Sequence, residues 1–393
     1  MSVHPPILPG ATIGFLGGGQ LGRMTAYAAR GMGYDVAVLD PDPHCPAAAL
    51  ASTVITAPFA DAEAAAELAR GCAVVTLEIE QIPRATLEAV AAIAPLRPGV
   101  DPVVLVQDRG RQKDWLRDRD FPVGAYVTAT SAEACAEAAA ALGPAIVKSC
   151  FGGYDGRGQV RVRSAAEAAA AWSTIGAARC VVEAFLDIAE ELSVLVARRP
   201  DGATAVYEPS RNHHSAGVLA WAVTPAAADA ALERDAMALA LRIAEALRIE
   251  GLLAVEMFRL TDGRLLVNEL APRPHNSYHH SERACETSQF EQVVRAICGL
   301  PLGATTVVRP AAIANLLGDL WSPGEPDWTA SLAHPGVRLH LYGKREARPG
   351  RKMGHLSATG ASGDLALAAV LDAYDALGGA SIERPATAER GAP

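Results

Sequence analysis

Residues 13–16 form a short apolar run that passes directly into Gly17-Gly18-Gly19-Gln20-Leu21-Gly22 and then into a helical stretch reaching Gly31. A strand, a glycine turn and a helix in that order, followed by the β-branched run at 36–39, predict the βαβ opening of a parallel sheet. A helical segment at 61–70 and a strand at 73–77 extend this pattern, so the first ~100 residues read as one α/β domain, with the proline-containing stretch 95–102 as its boundary. The glycines of such a turn let backbone amides approach a phosphate at the N-terminus of a helix. Asp40 at the end of the second strand completes the pattern of a dinucleotide-binding protein. Glycine turns after a first strand occur in many α/β folds, so a dehydrogenase and a binder of some other phosphate both stay open here.

A chain of 393 residues has room for roughly two to three domains at ~150 residues each. With 35 basic and 44 acidic residues its formal charge is −9, which argues against a surface built for nucleic acid and predicts that any phosphate is met in a local pocket. The seven cysteines (45, 72, 135, 150, 180, 285 and 298) are scattered, with no C-x-x-C pair, and read as reduced and mostly buried thiols. No basic segment precedes an apolar stretch near Met1, and no run of about 18 residues lacks both charge and proline. A cytoplasmic enzyme or binding protein is the expectation.

Beyond the first domain come a charge-dense helix at 107–118, an alanine-rich helix from Ala132 and strands at 145–148, 159–163, 180–185 and 192–197. Lys148 ends one of these strands, and the loop after it, Gly152-Gly153-Tyr154-Asp155-Gly156-Arg157-Gly158-Gln159, lacks the order of a P-loop. Four glycines in seven residues are entropically costly, so such a loop predicts a hairpin flap whose amides cover phosphates; a merely flexible hairpin is the alternative.

A helix at 226–247 precedes strands at 252–260 and 264–270, joined by the hairpin turn Asp262-Gly263. A two-residue turn there pairs Leu260 with Leu265, Phe258 with Val267, and Glu256 with Glu269. Two carboxylates ~5 Å apart on an apolar face repel, so either one is protonated or a cation lies between them. Oxygen ligands at that spacing, joined by Asn268, suit magnesium holding nucleotide phosphates. Out of this pair runs Glu269-Leu270-Ala271-Pro272-Arg273-Pro274-His275-Asn276, whose prolines stiffen a segment that aims Arg273, His275 and Asn276 at an anion. Zinc at His275, His279, His280 and Cys285 has no usual ligand spacing in its favour. Lys344 with Arg348, Arg351 and Lys352 forms a basic cluster that is either a clamp on one phosphate or a solvated turn. Alternation at 337–342 marks a small β-rich C-terminal part, and the last ten or so residues read as frayed.

Taken in order, residues 17–24, 108–113, Lys148 with its glycine loop, N-E-L-A-P-R-P-H-N-S from Asn268, Ser288-Gln289-Phe290-Glu291 and R-P-G-R-K-M-G-H from Arg348 resemble the N(5)-carboxyaminoimidazole ribonucleotide synthases, ATP-grasp ligases of purine biosynthesis. The resemblance runs from about residue 11 to 360. It implies an α/β and α+β chain with an ATP-grasp fold: a Rossmann-like pre-ATP-grasp domain at 1–105, a lid subdomain with the glycine loop at 106–188, and a metal-bearing C-terminal domain with a β-rich tail region at 189–393. It further implies a homodimer that uses ATP, magnesium and bicarbonate, has no nucleic-acid or membrane partner, and carboxylates 5-aminoimidazole ribonucleotide through carboxyphosphate.

By the same resemblance, Arg109, Lys148, Gly153, Tyr154, Asp155, Gly156, Arg157, Gly158, Gln159, Glu183, Ala184, Phe185, Leu186, Glu191, His214, Asn268 and Glu269 hold ATP. Glu256 and Glu269 hold magnesium. Gly18, Gly19, Gln20, Leu21, Glu78, Tyr154, Asp155, Arg273, Lys344, Arg351 and Lys352 surround the ribonucleotide, while Lys148, Tyr154, Asp155, Arg273, His275 and Asn276 serve the chemistry. Asp155 and His275 are the candidate bases for the amine. Arg211, Tyr278 and the strand end at 77–81 depart from the family pattern. A formate-dependent glycinamide ribonucleotide formyltransferase shares the ATP residues but not the R-P-G-R-K-M-G-H segment. A nucleotide sensor without catalysis would be expected to lack one metal carboxylate.

Overall fold

The computed structural model describes residues 5–153, 158–226, 229–378 and 382–384. Its first sheet is parallel, with β1 (Thr12–Leu16), β2 (Asp35–Asp40), β3 (Thr53–Thr56) and β4 (Val74–Leu77) in the order β3-β2-β1-β4. β1, β2 and β4 are buried almost throughout, which is why their residues read as apolar runs. Strand order reverses between β1 and β4, and a crevice opens at their carboxyl ends where Gly17 and Glu78 leave the sheet.

The glycine turn fills that crevice with its own acids. Gly18 N–H donates to Asp40 Oδ2 at 2.8 Å, and Gly19 and Gly22 N–H donate to the two carboxylate oxygens of Glu78, the latter at 2.8 Å. A Cβ at Gly18 would lie 2.3 Å from Cys45 Sγ, and one at Gly19 would lie 2.3 Å from Glu78 Oε1. Glycine is required because a carboxylate packs against the bare backbone. Asp40 therefore braces the turn, and the dinucleotide reading of this segment does not hold.

The second sheet is antiparallel, with β5 (Tyr126–Ala129), β6 (Ala145–Ser149), β7 (Gln159–Val162) and β8 (Cys180–Ala184) in the order β5-β8-β6-β7. Helices Ala132–Leu142 and Ala165–Ile175, N-capped by Ser131 and Ser164, pack on one face against Ala145, Val147 and Val182. Alternation leaves Lys148 and Glu183 on the other face.

The third sheet has nine strands: β9 (Ile188–Arg198), β10 (Thr204–Val206), β11 (Ser210–Ser215), β12 (Val218–Thr224), β13 (Gly251–Leu260), β14 (Leu265–Ala271), β15 (Ala311–Leu317), β16 (Arg338–Leu341) and β17 (Lys352–Thr359). Eight run in the order β14-β13-β9-β11-β12-β15-β17-β16, with β10 paired to β9. Its core is continuous with that of the first sheet, since Ile13 and Val36 cluster with Leu195, Tyr207 and Ile297. Arg97 ties the two units electrostatically, with Nε 2.9 Å from Glu250 Oε2 and a hydrogen bond to the carbonyl of Ile297. Among the described residues no helix is long and apolar enough to cross a membrane.

Several elements differ from the sequence expectation. The stretch 95–102 holds the start of helix Val100–Val106, whose Val103 belongs to the core of the first sheet, so it continues that domain. β11 was not foreseen, because Ser-Arg-Asn-His-His-Ser carries no apolar alternation. All seven cysteines are free and five are buried. Residues 385–393, read as frayed, lie outside the described ones.

The β13–β14 register is a further correction. Near the turn Arg259 pairs with Leu265, Phe258 with Leu266, and Met257 with Val267, one residue off the Leu260–Leu265 and Phe258–Val267 pairs. A bulge between Glu256 and Met257 then absorbs Asn268 and restores Glu256 opposite Glu269.

Replacing Glu78 with Gln turns one acceptor of the glycine turn into a donor facing an N–H. Glu78→Gln is expected to lower stability by about 1–3 kcal/mol in urea unfolding, without changing the fold by circular dichroism.

Candidate active site

The cleft lies between the open face of the second sheet and the large sheet, with helix Arg109–Arg117 at its closed end. Asp108 caps that helix by accepting the Arg111 N–H at 3.1 Å, and the 3.6-residue period puts Arg109, Gln112 and Lys113 on one face. These three line a pocket with Lys148, Glu183, Asn268 and Glu269. Gln112 Oε1 accepts the Leu270 N–H at 3.0 Å, which locks the helix to the strand bearing Glu269.

On the lid side, Glu183 Oε2 takes two ammonium groups, Lys148 Nζ at 3.1 Å and Lys113 Nζ at 3.4 Å. Burial opposes its charge, but the two lysines outweigh it and hold Glu183 below its ordinary carboxylate value; burial pushes Lys113 down from the usual lysine value. Arg109 reaches the glycine loop's near end through the carbonyls of Ser149 and Gly153, and Ser149 N–H bonds the Gly158 carbonyl at the far end. Gln159 pairs with Lys148 in the ladder. Tyr154, Asp155, Gly156 and Arg157 lie outside the described residues. Ala184 and Phe185 lead from the lid into β9; Phe185 is exposed with Arg161 over its ring, and Leu186 packs on Gly124.

On the sheet side, β14, β13, β9 and β11 are neighbours. Glu256 faces Glu269 and Ser193, and Asn212 faces Glu191, so Glu269, Glu256, Glu191 and His214 project from a single face. Burial and then the charge of Glu269 push Glu256 up to about 7. Asn268 Nδ2 donates to Glu256 Oε2 at 3.2 Å, and His275 Nε2 lies 3.3 Å from Glu256 Oε1. Burial keeps His275 well below its ordinary value, hence neutral, while its Nδ1 meets Ser277 Oγ at 2.8 Å. His214 bonds Glu191; burial opposes its charge, yet that bond and the field of Glu256 raise it. Two apposed carboxylates, one driven toward protonation by the other, are what a divalent cation with oxygen preference would relieve.

The segment after β14 is pinned from outside. Gln289 takes the His275 N–H at 2.8 Å and returns a bond to the His275 carbonyl at 2.9 Å, and Asn276 forms a reciprocal amide pair with Asn315. Arg273 Nε sits 2.8 Å from Glu80 Oε1. At the first-sheet crevice Lys344 Nζ bonds Gln20 Oε1 and the Lys352 carbonyl, which joins the glycine turn to the basic cluster. Arg351 bonds the Glu346 carbonyl at 3.0 Å, whereas Arg348 pairs with the exposed Glu346 side chain, the solvated-turn behaviour. Leu21 is buried beneath the turn with Met24, Phe290 and Tyr342.

Two of the three departures from the family pattern, Arg211 and Tyr278, fall away from the cleft, whereas the strand end at 77–81 borders the site through Glu78 and Glu80. Arg211 alternates to the opposite face of β11, over Trp221 and toward Asp364. Tyr278 is buried, with its hydroxyl 2.8 Å from the Ser193 carbonyl. Sequence reasoning missed Gln112, Lys113, Glu80 and Gln289 as supports; the spacing of Gln112 and Lys113 from Arg109 was the available signal. The His275, His279, His280 and Cys285 set, which its spacing already disfavoured for zinc, is not brought together as a metal cluster. Among the described residues the one cluster of three or more His, Cys, Asp or Glu ligand atoms is Glu282, His340 and His355. There the two rings stack within 11° at 5.1 Å, so their in-plane lone pairs do not converge, and burial pushes Glu282 up to about 7 against the charge of Arg338.

Three family models match in order: a ribonucleotide synthetase preATP-grasp domain over 10–107, an ATP-grasp domain over 114–290, and a phosphoribosylaminoimidazole carboxylase C-terminal domain over 311–369. The N5-carboxyaminoimidazole ribonucleotide synthase of Bacillus subtilis is 40% identical over 352 residues, 89% of this chain and 92% of its own. The chain belongs to the N5-carboxyaminoimidazole ribonucleotide synthase family. The synthase of Brucella melitensis is also 40% identical, over 89% of this chain and 96% of its own. A crystal structure of an ADP complex of such a synthetase superimposes with a TM-score of 0.89 at 40% identity, covering 95% of this chain and all (100%) of the other. The Aspergillus clavatus synthase, in complex with ADP and 5-aminoimidazole ribonucleotide, does so with 0.86 at 30% identity over 94% and 98% of the two chains. The ATP-grasp fold with its N-terminal parallel sheet is thus shared with these synthases.

The raised Glu256 gives a sign for stability in metal-free protein. An unfolded glutamate titrates near 4.3, so the folded state holds the proton more tightly. The stabilisation is complete below about pH 4 and is lost as pH rises through about 7. Glu256→Gln is expected to flatten this slope and to exceed the parent in stability at pH 8 by on the order of 3 kcal/mol, read by urea unfolding in chelator across pH.

Proposed function

We propose that this chain is the ATP-dependent ligase that carboxylates 5-aminoimidazole ribonucleotide with bicarbonate, giving N5-carboxyaminoimidazole ribonucleotide, ADP and phosphate in purine biosynthesis. The observation that carries this reading is the facing arrangement in one cleft of Lys148, Lys113 and Arg109 against Glu256 and Glu269, within a family-wide match.

Bicarbonate is a weak nucleophile and a poor electrophile, so ATP converts it to carboxyphosphate before the amine is carboxylated. Such a step needs in-line positioning and charge neutralisation around the γ-phosphoryl and no protein nucleophile. Arg109 and Lys148 supply cations from the lid side, and Glu256, Glu269 and Asn268 form an oxygen-rich set on the sheet side. That set fits magnesium, which when bound would neutralise phosphate charge at this point. Arg109 and Ser149 tie down the described ends of the glycine loop, and a loop of this composition closing over bound phosphates would keep water from the short-lived mixed anhydride. Arg273, His275 and Asn276 are held by Glu80, Gln289 and Asn315 on the segment leading from the acids, where an anion would be gripped. Both nitrogens of His275 face Ser277 and Glu256, which favours a supporting role for it and leaves Asp155 as the base for the amine. Gln20, Lys344, Arg351 and Lys352 take the ribonucleotide phosphate. The reading extends to a cytoplasmic homodimer, supported by the family resemblance and the free cysteines.

ADP release is expected to depend jointly on 5-aminoimidazole ribonucleotide, bicarbonate and magnesium in a coupled assay, and turnover with glycinamide ribonucleotide and formate in their place would sink the assignment. Glu269→Gln is expected to lower ADP formation by on the order of a thousandfold with the fold intact by circular dichroism. A fully active variant would remove the metal role from that residue.

A further inference from the structure

Two lysines share one carboxylate oxygen at the inner end of the cleft, and they are not equivalent. Lys113 is the more enclosed, with 5% of its side chain exposed against 15% for Lys148, and it stands on a helix fixed by the Asp108 cap and by the Gln112 bond to Leu270. Lys148 is paired with Gln159, so it borders the glycine loop. Glu183, with 12% of its side chain exposed, lies between them. Glu183 and Lys148 both belong to the ATP set that the family resemblance implies, and Lys113 does not.

We propose that Lys113 is a positioning residue that stays on Glu183 when Lys148 turns to the nucleotide phosphates, so that Lys148 is released without stranding a buried carboxylate. The charge count supports this. Lys113, Lys148 and Glu183 together carry +1, so one ammonium can leave and a neutral pair remains. Without Lys113, Lys148 and Glu183 would form the neutral pair themselves. Moving Lys148 to a phosphate would then leave Glu183 uncompensated in a site of low dielectric and aimed at a polyanion, a large penalty for a buried charge. Burial opposes the ionisation of Glu183; against it the charge of Lys113 acts more strongly than that of Lys148, while Lys148 makes the stronger hydrogen bond.

The inference rests on ATP occupying this cleft, so the test measures nucleotide binding alone. MgADP and MgATP are titrated calorimetrically into the full chain and its variants. Lys113→Met is expected to weaken binding by at least about tenfold, and Lys113→Arg to stay within about threefold of the parent. Adding Glu183→Gln to Lys113→Met removes the carboxylate that holds Lys148 and is expected to recover much of the lost affinity. A merely structural lysine would give no such rescue. Unchanged binding by Lys113→Met, or a double variant as weak as the single one, would overturn the proposal. Should Lys113→Met fail to fold by circular dichroism, Lys113→Gln alone and with Glu183→Gln carries the same comparison. A parent protein that binds neither nucleotide would overturn the placement of ATP in the cleft and the role of Lys113 with it.

Discussion

Glu256 and Glu269 stand against each other because the backbone ladder of β13 and β14 leaves them no alternative. Strand pairing supplies hydrogen bonds and apolar burial on the opposite face, and together these outweigh the repulsion of two carboxylates. The bulge at Asn268 is decisive. From the turn inward the register would place Asn268 opposite Glu256 and rotate Glu269 to the helix-covered face, and one inserted residue reverses that. The same insertion swings Asn268 close enough to bond Glu256. The surrounding groups follow from this frustrated pair, since neutral His275 and the His214–Glu191 couple are disposed around an acid held away from its preferred ionisation.

Charge in the molecule is organised by sheet. The large sheet contributes the acids of the cleft, the lid contributes Lys148 and Glu183, and helix Arg109–Arg117 closes the end with Arg109 and Lys113. The formal charge of −9 therefore says little about what the protein binds. What matters is that cations and acids converge from different units onto one space, which makes their relative placement sensitive to the bridges between units. Arg97 and the core shared by Ile13, Leu195 and Ile297 hold the first sheet to the large one, and Gln112 holds the closing helix to β14.

The parallel opening sheet, the lid strands and the acidic hairpin were legible because each rests on a local rule: apolar runs, glycine loops and a turn dipeptide. The Glu256–Glu269 pair was also legible, though the register at the turn was read one residue out and the bulge compensated for it. Such bulges have no local signature here, since Val-Asn-Glu reads like any strand. β11 was illegible for the opposite reason: its polar residues gain their strand conformation from β9 and β12 on either side. Gln289 and Asn315 were equally hidden as supports, because they act on a segment far from them in the chain. Spacing along helix Arg109–Arg117 would have exposed Lys113, but a lysine on a charge-dense helix looks like solvent-facing polarity.

The glycine turn of the first sheet has a consequence for cofactor competition. Asp40 and Glu78 occupy the amides that a nicotinamide or flavin dinucleotide would need. A dinucleotide pyrophosphate would find these amides already taken. Selectivity at this end of the molecule is built in before any substrate arrives, by backbone amides whose partners already belong to the protein.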